Sequence, residues 1–198
     1  MVKLTVSDIA DQRAYERERD EFRARIIDLK KTRRIGVGPF VTLLFENRDT
    51  IRFQIQEMAR AEKIVTDEAI QTELDIYNPI IPEPGALAAT LFIELTSKDE
   101  LVEWLPKLVG IERSVELRIG EPGNEEVVPA RPDAEHERQL TRETITASVH
   151  YVHLELTDAQ VERFANESVR IAVAHANYAY ATELGEASKQ SLLEDLRG

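Results

Sequence analysis

The chain has 198 residues and none of them is cysteine. That absence excludes disulfides, a thiolate nucleophile, a cysteine-ligated zinc site and an iron–sulfur cluster held by cysteine. Any metal would have to be bound by histidine, by a carboxylate or by a carbonyl oxygen.

Long apolar runs and an excess of positive charge are also missing. No run approaches the roughly 20 apolar residues that span a bilayer, and the first residues lack the apolar middle of a signal peptide, so we expect a cytoplasmic location. The net charge is −12, which disfavours nucleic acid and anionic membrane as partners. The one basic run, at residues 30–34, is typical of the last turn of a helix.

Two common catalytic patterns are absent as well. No glycine-rich phosphate loop follows a predicted strand, and no Gly-x-Ser-x-Gly elbow occurs. The sequence therefore indicates neither a dinucleotide-binding domain nor a serine hydrolase.

The N-terminal part, residues 1–80, is predicted to be mainly helical. A long helix over residues 7–33 is indicated by Tyr15, Phe22, Ile26 and Leu29 at helical spacing. A strand over 41–45 and helices over 49–63 and 66–76 follow. Phe53 and Ile64 lie opposite the apolar stripe of the 49–63 helix, which indicates a second cover, either the next helix or another subunit.

Residues 86–180 are predicted to be rich in strands, and residues 183–197 to form a C-terminal helix. Two strand–helix–strand units are similar: "FIELTSKDELVEWL" precedes "SVELRIG", and "HLELTDAQVERF" precedes "SVRIAVAH". Capping boxes open both helices, at residues 97–100 and 157–160. Either this is what any strand and capped helix look like, or the units are pseudo-symmetric and share one sheet. We predict one α+β domain over 1–198, with flanking helices and a mixed or mostly antiparallel sheet.

The stretch "LLFENRDT" turns from an apolar strand into a charged helix start. Arg48 and Arg52 lie near the positive end of the helix dipole, so an anion should compensate them. Either Glu46 and Asp49 supply that charge, or a bound phosphate or carboxylate does. The candidate ligand or anion site comprises Glu46, Arg48, Asp49, Arg52, Glu57 and Arg60.

Histidines offer a second candidate site. On a strand, His150 and His153 point to opposite faces, so they cannot hold one ion together. His153 and Glu155 share a face, and His175 could join them if its strand pairs alongside. No cofactor is expected, but a metal held by His153, Glu155 and His175 stays open. His136 lies in a charged loop and is expected to be solvated.

Three stretches, "GVGPFVTLLFENRDTIRFQIQEMARAEKI", "IQTELDIYNPIIP" and "SVHYVHLELT", resemble the bacterial family of unknown function DUF3501 over nearly the whole chain. The resemblance implies an association with rubrerythrin-like di-iron proteins and iron–sulfur oxidoreductases, and it transfers no catalytic residue. We therefore expect an accessory protein of a redox or peroxide-stress pathway, with a protein partner. The alternative is a ligand- or metal-binding protein or an enzyme with an Arg/Glu/His pocket. Self-association stays open.

Overall fold

The computed structural model describes residues 2–133 and 144–198; His136 lies outside them. The N-terminal helix is shorter than predicted. A single 3-10 turn, Val6–Asp8, is followed by α1, Gln12–Arg33. Asp11 separates them because its backbone is extended and its side chain caps the helix, accepting from Ala14 N.

A short hairpin leads into the next helix. β1, Arg34–Val37, pairs antiparallel with β2, Val41–Glu46, across a turn containing Gly38. The sequence indicated only a turn before β2, because β1 has four residues, one of them Gly36, and is too short to show alternation. Gly38 has φ 78° and lies against Tyr178 and Tyr180, where a Cβ would be 2.6 Å from the Tyr178 hydroxyl oxygen.

The next helices match the prediction closely. α2 spans Arg48–Glu62 and is capped by Asn47, and α3 spans Asp67–Tyr77 and is capped by Thr66. Lys63, in the left-handed conformation, ends α2.

The second half alternates strands and helices. Its elements are β3 (Ala86–Ile93), α4 (Lys98–Lys107), β4 (Val115–Ile119), β5 (Glu126–Pro129), β6 (Arg131–Pro132), β7 (Val149–Glu155), α5 (Asp158–Asn166), β8 (Val169–His175), β9 (Tyr178–Glu183) and α6 (Glu186–Arg197). Both predicted capping boxes are present. β9 was not predicted, because four of its six residues are exposed and it shows no clear alternation.

The strands form two antiparallel sheets instead of one. The first sheet has the order β1-β2-β3-β7-β6, and the second has the order β5-β4-β8-β9. The α+β class and the antiparallel pairing are confirmed. A core of residues such as Leu43, Leu91, Leu117 and Ile171 fills the space between the sheets.

The internal repeat corresponds to a pseudo-twofold arrangement. Each unit starts in the first sheet and ends in the second, as β3–α4–β4 and as β7–α5–β8. Thr90 and Tyr151, each four residues before the shared Glu-Leu-Thr, pair with one another. Leu117 and Ile171, each three residues after the shared serine, also pair. The units therefore share two sheets, whereas the pseudo-symmetric alternative placed them in one sheet.

Helix α2 packs on the face of the first sheet that points away from the second. Ile51 and Ile55 form a cluster there with Ala88 of β3. Its other side is covered by α1, where the rings of Phe22 and Phe53 meet edge-on at 5.6 Å. Phe53 is thus covered by α1, whereas Ile64, just after α2, packs in the cluster that includes Ile70 and Leu74 of α3, as the prediction of the next helix implied.

Candidate functional site

The start of α2 is held by the N-terminal segment. Arg48 donates from Nη2 to Asp8 Oδ1 at 2.6 Å and from Nε to the Val2 carbonyl at 3.1 Å. The Thr5 backbone N–H and the Arg48 guanidinium both lower the pKa of Asp8. Asp49 is exposed, and its backbone N–H donates to the Asn47 cap.

Arg52 is neutralised in the same way. Its Nε donates to the Asp8 carbonyl at 2.8 Å, and its Nη2 lies 3.2 Å from Glu18 Oε1. The guanidinium also lies over the Phe22 ring, 4.9 Å from its centroid. The expected internal compensation exists, but Asp8 and Glu18 provide it instead of Glu46 and Asp49.

Glu46 turns away from the two arginines. It is 3% exposed on the sheet face, and its Oε1 accepts from the Thr90 hydroxyl at 2.7 Å. Strand alternation explains this, because Thr42, Leu44 and Glu46 share the face beneath α2. Beside it, buried Arg33 donates to the carbonyls of Phe45 and Glu46 and pairs with Asp195 of α6.

Glu57, in the second half of α2, is bound by two side chains of α1. Arg19 donates to both carboxylate oxygens at 2.8 Å, and the Tyr15 hydroxyl donates to Oε1 at 2.8 Å. These bonds, from Arg19 first, hold the pKa of Glu57 at about 2 although burial opposes the shift. Burial raises the pKa of Tyr15, and the bond to Glu57 adds to that effect.

Arg60 is bound less tightly than the other arginines of α2. Its Nε lies 3.5 Å from Glu57 Oε1, and its Nη1 lies 3.9 Å from Glu16 Oε1. Within the described residues its Nε is buried without a hydrogen-bond partner. The side chain lines a cavity of about 190 Å³ between the 3-10 turn, the N-terminal ends of α1 and α3, and the second half of α2.

The predicted site residues do not form one pocket. Arg48 and Arg60 are twelve residues apart on one helix, which corresponds to about 18 Å along its axis. The corner at Arg48 and the cavity at Arg60 are therefore separate features, and Glu46 belongs to neither.

His153 lies on the same sheet face as Glu46. The two residues pair with Ala88 from opposite sides, so one strand separates them. His153 Nε2 lies 3.6 Å from Asp133 Oδ2, and burial lowers the His153 pKa despite that carboxylate. Glu155 is exposed, 3.7 Å from an Arg131 nitrogen.

His175 is in the second sheet, and its strand does not pair with that of His153. Its Nδ1 accepts from Asn177 N at 3.2 Å, so its Nε2 carries the proton and contacts the Val109 carbonyl at 3.2 Å. Both ring nitrogens are thus engaged by backbone groups, and His175 does not join His153 and Glu155. In the described ranges no group of three histidine or acidic residues is arranged to hold a metal ion.

A buried polar group that the sequence did not reveal lies between the sheets. His150 Nε2 is 2.8 Å from the Thr146 hydroxyl, and its Nδ1 is 3.9 Å from Glu112 Oε2. His150 and Glu112 are at most 2% exposed. The face of His150 was predictable from alternation, whereas the burial of Glu112 in a short 3-10 turn had no sequence signal.

The comparisons with known proteins identify the family. The family model described as "Protein of unknown function (DUF3501)" matches residues 3–196. The chain belongs to this family.

A solved structure, described as a novel protein of unknown function from Burkholderia pseudomallei K96243, is 36% identical, with a TM-score of 0.88. The match covers 98% of this chain and 100% of that one. No curated protein matches. Across residues 2–133 and 144–198, helices that are both long and apolar enough for a bilayer span do not occur.

Proposed function

We propose that this member of the DUF3501 family is an accessory protein of a bacterial redox or peroxide-stress pathway. It acts by binding a rubrerythrin-like or iron–sulfur protein. The pathway assignment is supported by the sequence resemblance alone. The mode of action is supported by two features of the structure: the candidate charges are largely satisfied by internal partners, and one surface carries aromatic side chains.

The observation that carries the proposal is a continuous row of four aromatic rings. The ring centroids lie 4.9 Å apart for Trp104 of α4 and Phe40, 4.7 Å for Phe40 and Tyr178, and 4.7 Å for Tyr178 and Tyr180, and each pair is tilted. Tyr180 is 47% exposed and Phe40 and Trp104 are half-buried, whereas Tyr178 is only 2% exposed, so three of the four rings reach the surface. Tyrosine, tryptophan and phenylalanine are enriched in protein–protein interfaces.

Helix α4 extends this surface. It has no buried residue, and its Trp104 is half-buried where the ring meets Phe40. The Lys107 ammonium group lies 5.1 Å from the centroid of the Trp104 ring. An apolar centre with a charged rim is the usual anatomy of an interface that forms reversibly.

A titration against purified rubrerythrin-like and iron–sulfur proteins tests the proposal. We expect micromolar binding, weakened about tenfold or more by Trp104→Ala or Tyr180→Ala, because tryptophan and tyrosine at interface hot spots cost about 2 kcal/mol or more when truncated. Ile76→Asp on α3 is the matched control, since Ile76 is an exposed apolar helix residue at 41%. Absence of binding, or equal loss in all three variants, would refute the proposal.

The alternative is a ligand- or metal-binding protein or an enzyme with one Arg/Glu/His pocket. The spacing of about 18 Å between Arg48 and Arg60 along α2 argues against the single-pocket form. A function in ligand binding is still supported by the cavity beside Arg60.

A further inference from the structure

The cavity lined by Arg60 has mainly apolar walls, and the Arg60 guanidinium is a cation with only distant carboxylate partners. Its lining includes Val6, Ile9, Ala59, Ile64, Val65 and Ile70. These side chains come from the segment of the 3-10 turn, from α2, from the loop after α2 and from α3, and α1 contributes Tyr15. The cavity therefore exists because four elements converge without filling the space between them.

The polar groups around the cavity differ in how well they are satisfied. Gln56, 2% exposed, is fixed by two bonds to Ala10, accepting from its N–H at 3.0 Å and donating to its carbonyl at 2.8 Å. Tyr15 donates to Glu57, which already holds both bonds from Arg19. Arg60 has no carboxylate oxygen closer than 3.5 Å and no hydrogen-bond partner in the described chain for its buried Nε.

A planar guanidinium with free donors is best satisfied by a carboxylate, which can accept two parallel bonds. The volume of about 190 Å³ is below the range of about 300–1,000 Å³ typical of pockets for drug-sized ligands. The ligand must therefore be small, and the aliphatic walls require an aliphatic body.

Acidic residues at the rim of the cavity restrict the charge of the ligand. Asp11 and Asp67, both exposed, line the cavity at the first turns of α1 and α3. Asp11 is already engaged as the α1 cap through Ala14 N. Because Glu16 and Glu57 also face Arg60, a ligand with a second negative charge would meet net repulsion.

We propose that this cavity binds a short aliphatic monocarboxylate, with the carboxylate on Arg60 and the hydrocarbon against the walls formed by Ile9, Ala59 and Ile70. The site is independent of the aromatic surface that the protein-partner proposal uses. It gives this protein a small-molecule ligand in addition to any protein partner.

Calorimetric titration with hexanoate and 4-methylpentanoate is the test. We expect saturable one-to-one binding for at least one of them. Hexanamide, hexylamine and adipate should bind at least about tenfold more weakly, because they lack the single charge, reverse it or double it. Equal binding of the amide or the amine would overturn the proposal, and so would absence of saturable binding by both acids.

Two variants locate the site, and a third is their control. Arg60→Gln should weaken hexanoate binding by about tenfold or more, since it removes a charged hydrogen-bond donor. Ala59→Leu should do the same by filling the cavity, with circular dichroism verifying the fold. Arg17→Gln makes the same charge change at an exposed position of α1 and should leave the affinity within about twofold. Unchanged binding in Arg60→Gln would overturn the assignment whatever Ala59→Leu does.

Discussion

The two ends of α2 look alike in sequence and differ in structure. Each end carries arginine near glutamate, yet the Arg48 end is closed by direct bonds to the N-terminal segment. At the other end Arg60 lies beside a cavity, with its nearest carboxylate oxygen at 3.5 Å. The two ends differ in how closely a carboxylate from a distant part of the chain approaches the arginine. Asp8 bonds directly to Arg48, whereas Glu16 lies 3.9 Å from Arg60.

This contrast distinguishes charged groups that hold the structure together from a charged group that remains available to a ligand. At the closed end, guanidinium groups are used to hold the N-terminal segment and the β2–α2 corner together. At the open end, Glu57 already accepts three bonds from Tyr15 and Arg19, and Arg60 stays 3.5 Å from its nearest oxygen. Substitutions should therefore affect mainly stability at the first end and mainly ligand binding at the second.

The largest effect is expected at Arg33, which lies under the closed end. Arg33→Ala removes the ion-pair partner of buried Asp195 and the bonds that Arg33 donates to the carbonyls of Phe45 and Glu46. We expect a loss of about 3–5 kcal/mol in the free energy of unfolding, the range found when one partner of a buried ion pair is removed. Urea denaturation measures it, with Arg17→Ala as an exposed control expected within about 0.5 kcal/mol. A loss below about 1 kcal/mol for Arg33→Ala would mean that the corner is not held by this pair.

Glu57→Gln should have the next largest effect, and it should depend on pH. Arg19 lowers the folded-state pKa of Glu57 to about 2 from 4.5, so ionised Glu57 stabilises the fold above pH 4.5, and this contribution is lost as the pH falls towards 2. At neutral pH we expect Glu57→Gln to cost about 1.5–3 kcal/mol, the usual value for hydrogen bonds to a charged group.

Chemical denaturation at several pH values between 7 and 2 measures that prediction. The difference between the native protein and Glu57→Gln should shrink below about pH 4.5. Glu103→Gln, on an exposed pair with Lys107, is a control that should show little change. A constant difference across the whole pH range would contradict the bonding described for Glu57.

Sequence patterns predicted most elements and the fold class, because α1, α2 and β7 have a clear apolar period and β3 is a continuous apolar run. It could not predict two sheets, since which strands pair depends on contacts between distant residues. The same limit applies to the charges. Local reasoning placed Glu46 and Asp49 beside Arg48 and Arg52, whereas Asp8 and Glu18 are brought there by tertiary packing. The cavity was likewise invisible, because it is a gap between four elements and leaves no pattern in any one of them.

The smallest effects are expected from the two arginines, and a pair of double-mutant cycles compares them directly. Arg48→Gln with Asp8→Asn should give a coupling energy of about 0.5–1 kcal/mol, because the 2.6 Å contact is partly shielded from solvent. Arg60→Gln with Glu16→Gln should give about 0–0.2 kcal/mol, since these groups are 3.9 Å apart and Glu16 is 52% exposed. Added salt should reduce the first coupling modestly and leave the second near zero. Equal couplings would mean that Arg60 is held as firmly as Arg48, and the open end would then have no free guanidinium to offer a ligand.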